Sequence, residues 1–104
     1  MHFWNPSTIE LEEFRPGITS KAVTGNQLIM VCMRIEQGRE DLGHEHPFDQ
    51  CGMVVEGRIE MFAGEKRHIL TRNECYFIAA GERHGWKTLD EPVTLLDISS
   101  RPGA

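Results

Sequence analysis

The chain has 104 residues, of which 39% are hydrophobic and 26% charged, and this predicts one soluble globular domain with no room for a second. Its formal net charge is -5 and no run of Lys and Arg occurs, which argues against a nucleic-acid partner and favours a small molecule. The first residues lack the basic and apolar regions of a secretion signal, and no segment is long enough to cross a bilayer. We therefore expect a cytoplasmic protein without a membrane partner.

The cysteines indicate neither a disulfide framework nor a zinc ribbon. Cys32, Cys51 and Cys75 are odd in number and lack the C-x-x-C spacing. We predict reduced thiols that are mostly buried.

The amino-terminal part, residues 1-25, is predicted to form an arm and an edge strand, and residues 26-104 a barrel within the same single domain. Residues Ser7 to Phe14 fit a short helical turn or an edge strand equally well, because their apolar positions do not settle a period. The sequence R-P-G at 15-17 predicts a turn.

The clearest strand is predicted from Gln27 to Glu36. One face carries Ile29, Val31, Met33 and Ile35, yet the other face is also apolar at Leu28, Met30 and Cys32. Burial on both faces requires another sheet or a partner chain. Because a lone small barrel would cover only one face, we expect a homodimer.

Further short strands follow at nearly regular spacing, with Gly, Asn, Asp or Pro at most reversals and no convincing long helix. This pattern predicts an all-β sandwich or barrel, and a jelly-roll barrel would also enclose a ligand cavity. The predicted strands are 53-56, 58-62, 67-71, 75-79, 84-89 and 93-99.

A metal site is the sharpest functional hypothesis. Side chains on a strand repeat with period two, so His44 and His46 are expected to leave the same face of a glycine-bracketed hairpin, with Gln50 just beyond. His84 follows a tight turn in a second, matching segment. The alternative is a pair of half-exposed polar residues on a strand.

These segments resemble the two motifs of the cupin superfamily. The first motif is matched in spacing by Gly38, His44, His46, Gln50 and Gly57, with Gln50 in the place of an acid, and the second by Asn73, Ala79, Gly81, His84 and Thr88. The resemblance implies a single-domain jelly-roll β-barrel. It also implies a divalent ion (nickel, zinc, iron, cobalt or manganese) held by His44, His46, Gln50 and His84.

A narrower resemblance is to small cupins of the KdgF type, which open the ring of unsaturated uronates released from pectin and alginate. It is carried by R-P-G at 15-17, H-x-H-P-x-x-Q at 44-50 and H-G-W-K at 84-87. Asp97 matches that family's aspartate, whereas Ser99 stands at an aromatic position and Arg101 lies four rather than six residues beyond Asp97.

Three further residues extend the predicted site. Asp97 lies in the apolar run V-T-L-L-D-I, where a carboxylate requires either a structural hydrogen bond or a role as general acid or base. Trp86 shares a strand face with His84 and either walls the pocket or belongs to the core. Arg101 belongs either to the tail or to a clamp on the substrate.

Three functions follow from this set of residues. The first is a metal-dependent lyase or isomerase-like enzyme acting on a small carboxylated sugar, because a neutral ligand set leaves the ion's full charge to attract a carboxylate. The second is a non-catalytic metal-binding cupin that binds a small ligand. The third is a metal-dependent dioxygenase.

Overall fold

The computed structural model describes residues 1-101 and shows an all-β chain. Its strands are β1 (Glu12–Arg15), β2 (Ile18–Thr24), β3 (Leu28–Ile35), β4 (Glu40–His44), β5 (Gln50–Glu56), β6 (Ile59–Ala63), β7 (Lys66–Leu70), β8 (Cys75–Ile78), β9 (His84–Thr88) and β10 (Val93–Ser100). The order β1-β2-β3-β10-β5-β8 forms a six-stranded sheet, and β4-β9-β6-β7 forms a four-stranded one. All of these pairs are antiparallel, and the arrangement confirms the predicted single-domain jelly roll.

The strands predicted by alternation are present, with ends that shift by up to three residues. The largest shift is in β5, which begins at Gln50 rather than at residue 53. At the amino terminus, both alternatives occur in succession: a turn at residues 6-8 precedes edge strand β1. Strand β2 then pairs with β3 along its whole length, so the six-stranded sheet continues across residue 26.

The core lies between the two sheets. It consists of buried aliphatic side chains from both of them, and Met33, Met61, Tyr76 and Trp86 pack against it at the partly buried margin. The buried members are Ile18, Ile35, Val54, Ile59, Leu70, Val93 and Leu95.

The second face of β3 is covered in part by the amino-terminal arm. Cys32 on that face is fully buried, and its thiol lies 3.8 Å from the carbonyl oxygen of Pro6. Leu28, at the start of the strand, remains 58% exposed. The predicted apolar second face is therefore real, but its cover is the chain's own arm and ends before Leu28.

The expected hairpin around the two histidines is wrong. Strand β4 pairs with β9 in the four-stranded sheet, whereas β5 pairs with β10 and β8 in the other sheet. Residues 45-49 therefore carry the chain from one sheet to the other. A connection of that length, interrupted by Pro47, spans the gap between sheets without a tight turn.

The three cysteines differ in burial. Cys32 is buried and Cys51 half-buried, but Cys75 is exposed, so the prediction of mostly buried thiols is wrong for Cys75. All three are free thiols.

Across residues 1-101, no helix has the length and apolar character needed to span a bilayer.

Candidate metal centre

Three histidines converge between the sheets. One ring nitrogen of each of His44, His46 and His84 lies within 4.8 Å of the corresponding nitrogen of the other two. The ring centroids are 4.4 to 5.1 Å apart. Three imidazoles at this spacing can hold a metal ion.

His44 reaches the cluster because β4 is irregular. Between Asp41 and His44 the register with β9 shifts, and Gly43 adopts a φ of +132° in the bulge. In a regular strand, residues three apart point to opposite faces, whereas the bulge turns both toward the cavity. The carboxylate of Asp41 then accepts from His44 Nδ1 at 3.0 Å and from the Gly43 amide at 2.9 Å.

The Asp41 contact selects the tautomer of His44. A proton on Nδ1, donated to a carboxylate, leaves the lone pair on Nε2 for an ion. Burial alone would raise the pKa of Asp41, but the hydrogen bonds from His44 and Gly43 outweigh it, and the pKa lies below its usual value. Asp41 therefore remains ionised.

His84 opens β9 and is the most buried of the three, with 5% of its surface exposed. Its Nδ1 donates to the carbonyl oxygen of Glu82 at 2.8 Å, which again leaves Nε2 as the free acceptor. Nε2 is buried and has no hydrogen-bond partner within the described chain. An unpaired buried acceptor costs free energy unless something binds it.

His46 lies past the end of β4, in the connection between the sheets. Strand alternation is therefore not what places it beside His44. Its ring stacks on Phe48 with a centroid distance of 4.5 Å, and its carbonyl accepts from the Gly81 amide at 2.7 Å. Burial, together with the neighbouring charges of His44 and His84, lowers the pKa of His46, which favours the neutral ring that a metal requires.

Gln50 supplies a fourth polar group to the same cavity. Its Nε2 donates to Asp97 Oδ2 at 2.9 Å, and its Oε1 is buried without a hydrogen-bond partner among residues 1-101. Two orphaned acceptors, Gln50 Oε1 and His84 Nε2, thus line one cavity with two further imidazoles. This donor set fits a divalent cation, since each atom offers a lone pair and none has to be displaced from another bond.

Asp97 projects from β10 into the cavity and accepts two hydrogen bonds on one oxygen, from Gln50 and from the hydroxyl of Tyr76. Burial raises the pKa of Asp97, although both hydrogen bonds act against the rise. Burial and the adjacent Asp97 raise the pKa of Tyr76, so the phenol is a donor.

The cavity has a volume of about 720 Å³ and contains the histidine cluster, Gln50, Asp97 and Trp86. Trp86 was predicted either to wall the pocket or to belong to the core, and it does both, because it packs against the core and also lines the cavity. Arg101 lies elsewhere: its guanidinium donates to the carbonyl oxygen of Gly25 at 2.8 Å, and it is not among the residues that line the cavity.

Sequence reasoning missed Asp41 and Tyr76. Asp41 carried one available signal, since it lies three residues before His44 and two before Gly43, a residue type that permits a bulge. Tyr76 is the only tyrosine of the chain and carried none, because its contact with Asp97 depends on which strands become neighbours.

Comparison with known proteins agrees with this fold. The cupin domain family model matches residues 31–99. The pectin degradation protein KdgF of Dickeya dadantii is 32% identical over 91 residues, which span 86% of this chain and 83% of that protein.

Solved structures show the same fold. KdgF from Halomonas sp. superposes with a TM-score of 0.86 at 24% identity, covering 99% of this chain and 96% of that one. An RmlC-like cupin from Shewanella frigidimarina gives a TM-score of 0.82 at 24% identity, covering 96% and 90%. With the matched domain model and its similarity to KdgF, this chain belongs to the cupin family.

Proposed function

We propose that this protein is a metal-dependent enzyme that opens the ring of a small unsaturated uronate. In this proposal His44, His46, Gln50 and His84 hold a divalent ion and Asp97 transfers the proton. The observation that carries it is the position of Asp97, whose half-buried carboxyl group shares the cavity of the three imidazoles and contacts Gln50. The similarity to the pectin degradation protein KdgF supports the substrate class.

A divalent ion bound there supplies Lewis-acid polarisation of sugar oxygens. Around it, the chain contributes only neutral ligands: three imidazoles and one amide. Asp41 and the carbonyl oxygen of Glu82 hold His44 and His84 with their Nε2 atoms available. Partners of this kind fix ring orientation and tautomer, which is what maintains metal affinity in other proteins.

Asp97 is suited to proton transfer. An ordinary aspartate is ionised at neutral pH, but burial raises the pKa of Asp97 and thereby brings its protonated form closer to the working range. Tyr76 and Gln50 bond the same oxygen, Oδ2, and so fix the plane of the carboxyl group. The other oxygen, Oδ1, is the one available to a substrate.

The reaction is an isomerisation that consumes no co-reactant. The hydroxyl proton on the anomeric carbon is removed, the bond from that carbon to the ring oxygen breaks, and an aldehyde and an enolate form. Protonation of the enolate at its carbon end then yields the ketone, so that one proton leaves the sugar and one returns to it. Asp97 is the group that gives or takes the proton in this conversion.

Trp86 is a binding residue in this proposal rather than a reacting one. Trp86 presents an apolar wall beside the cluster, and a volume of about 720 Å³ accommodates a monosaccharide. We assign Arg101 no part in this site, because its guanidinium bonds the carbonyl oxygen of Gly25.

The test is direct assay of metal-loaded protein with an unsaturated uronate prepared by lyase digestion of pectate. Loss of ultraviolet absorbance from the unsaturated ring, abolished by a chelator and restored by added metal, is the expected result. Binding of the sugar without any absorbance change identifies the non-catalytic alternative. Oxygen consumption during the assay identifies the dioxygenase alternative.

A further inference from the structure

We infer that Arg15, on edge strand β1, binds the carboxylate of the ligand. This inference rests on the proposed function for the nature of the ligand, but not for the position of the side chain. Arg15 lines the cavity that holds the histidine cluster, although it lies in the arm that precedes the matched cupin segment.

The backbone of β1 is irregular where it meets the cavity. Glu13 pairs with Thr19 and Arg15 with Ile18, so Phe14 is the extra residue of a bulge. Consecutive residues of a regular strand point to opposite sides, yet Phe14 and Arg15 both line the cavity. Bulges of this kind redirect side chains at sheet edges and beside active sites.

The guanidinium of Arg15 contacts an aromatic ring, but no carboxylate in residues 1-101 forms an ion pair with it. It lies over the ring of Phe14, 5.6 Å from the centroid. Its charge attracts the carboxylate of Asp41, but that group is already bonded by His44 and the Gly43 amide. The donors of Arg15 therefore remain available to a ligand.

The other charged groups along the cavity do not neutralise Arg15 either. Arg67 is paired with Glu60 at 3.2 Å, and Asp97 is bonded by Tyr76 and Gln50. Lys66 is also unpaired among the described residues, but an ammonium group lacks the planar fork that matches a carboxylate. In a chain with a net charge of -5, two cations along one cavity that have no ion-pair partner in the described part of the chain indicate an anionic ligand.

Arg15 also provides the carboxylate-binding group that was predicted as one alternative for Arg101. A carboxylated sugar needs one group that fixes its charged end while its ring oxygens face the reacting centre. A guanidinium does this through two parallel hydrogen bonds, which set orientation as well as affinity. Arg15 is accordingly a ligand-binding residue that determines specificity for an acidic over a neutral sugar.

The experiment compares binding of galacturonate with that of galactose, which has the same ring but no carboxylate. Calorimetry on the metal-loaded protein is expected to show a preference for galacturonate that falls about tenfold or more in Arg15→Gln, the scale of a hydrogen bond to a charged group. Arg15→Lys is expected to retain part of the preference. Arg67→Gln, which removes a cavity-lining cation already paired with Glu60, is the matched control and is expected to retain all of it.

The inference is overturned by a wild-type protein with no preference for galacturonate, or by a preference undiminished in Arg15→Gln. Loss of the preference in Lys66→Gln instead of Arg15→Gln also overturns it. Because galacturonate is saturated and does not react, the outcome is independent of turnover. A protein that fails to open unsaturated uronates, yet loses its preference in Arg15→Gln, would refute the proposed function and support Arg15.

Discussion

Tyr76 and Asp97 are hydrogen-bonded across an intervening strand, because the residue between them is Gly52. In the six-stranded sheet, Gly52 of β5 pairs with Tyr76 of β8 on one side and with Asp97 of β10 on the other. A side chain at position 52 would occupy the space that the tyrosine hydroxyl crosses. Because Gly52 has no side chain, the side chain of Tyr76 on the outer strand β8 reaches the cavity.

Gly52→Ala is expected to destabilise the protein. A Cβ atom there would lie 2.5 Å from the carbonyl oxygen of Leu96 and would overlap the hydroxyl of Tyr76. Overpacking of this kind costs about 1–3 kcal/mol, which corresponds to a lower melting temperature in a thermal scan of the metal-free protein. Gly25→Ala is the matched control, since within residues 1-101 its Cβ atom meets only the Leu28 carbonyl oxygen, at an ordinary 3.5 Å. Equal melting temperatures for the two variants would contradict the expectation.

Asp97→Asn is expected to lose turnover by about 10²-fold or more while retaining metal and ligand affinity. Tyr76 and Gln50 both donate to the same oxygen, so an amide oxygen in that place keeps both bonds. What the variant lacks is a group that exchanges a proton. Steady-state assay with an unsaturated uronate measures the loss, and metal content is checked in parallel. Unimpaired turnover would assign Asp97 to structure and favour the non-catalytic alternative.

His46→Ala is expected to abolish stoichiometric metal binding, because it removes one of three converging imidazoles. Elemental analysis of protein purified without an affinity tag provides the measurement and also names the metal. His2→Ala is the control, since His2 is exposed and outside the cluster. If His46→Ala bound metal with unchanged affinity, the ligand assignment would be wrong.

A homodimer is expected through the uncovered part of β3 and the arm beside it. Leu28 is 58% exposed at the start of β3, and His2 and Trp4 of the arm line a surface pocket with it. Light scattering should give twice the chain mass for the wild-type protein and a lower mass for Leu28→Lys. Leu42→Lys serves as the control, because Leu42 is 79% exposed but lies on β4 in the other sheet. A strictly monomeric wild-type protein at high concentration would refute this prediction.

The amino-acid sequence by itself determined the strands and the chemistry of the cluster. Alternation and turn residues are local properties, so the sequence predicts β3, β6, β7, β8, β9 and β10 to within one residue at each end. The sequence identifies His44, His46, His84 and Gln50 as candidate metal ligands, because imidazole and amide groups at this motif spacing are typical of a metal site. Asp97 was identifiable because a carboxylate in an apolar run is costly without a partner.

Only the tertiary structure decided how these groups meet. That β4 and β5 lie in different sheets, and that Tyr76 reaches Asp97 past Gly52, depends on pairing between strands far apart in sequence. The bulges that turn Asp41 and Arg15 toward the cavity break strand alternation, so a period of two assigns them to the wrong face. Local periodicity specifies which residues form strands, whereas the partners of each strand and its irregularities are set by long-range packing.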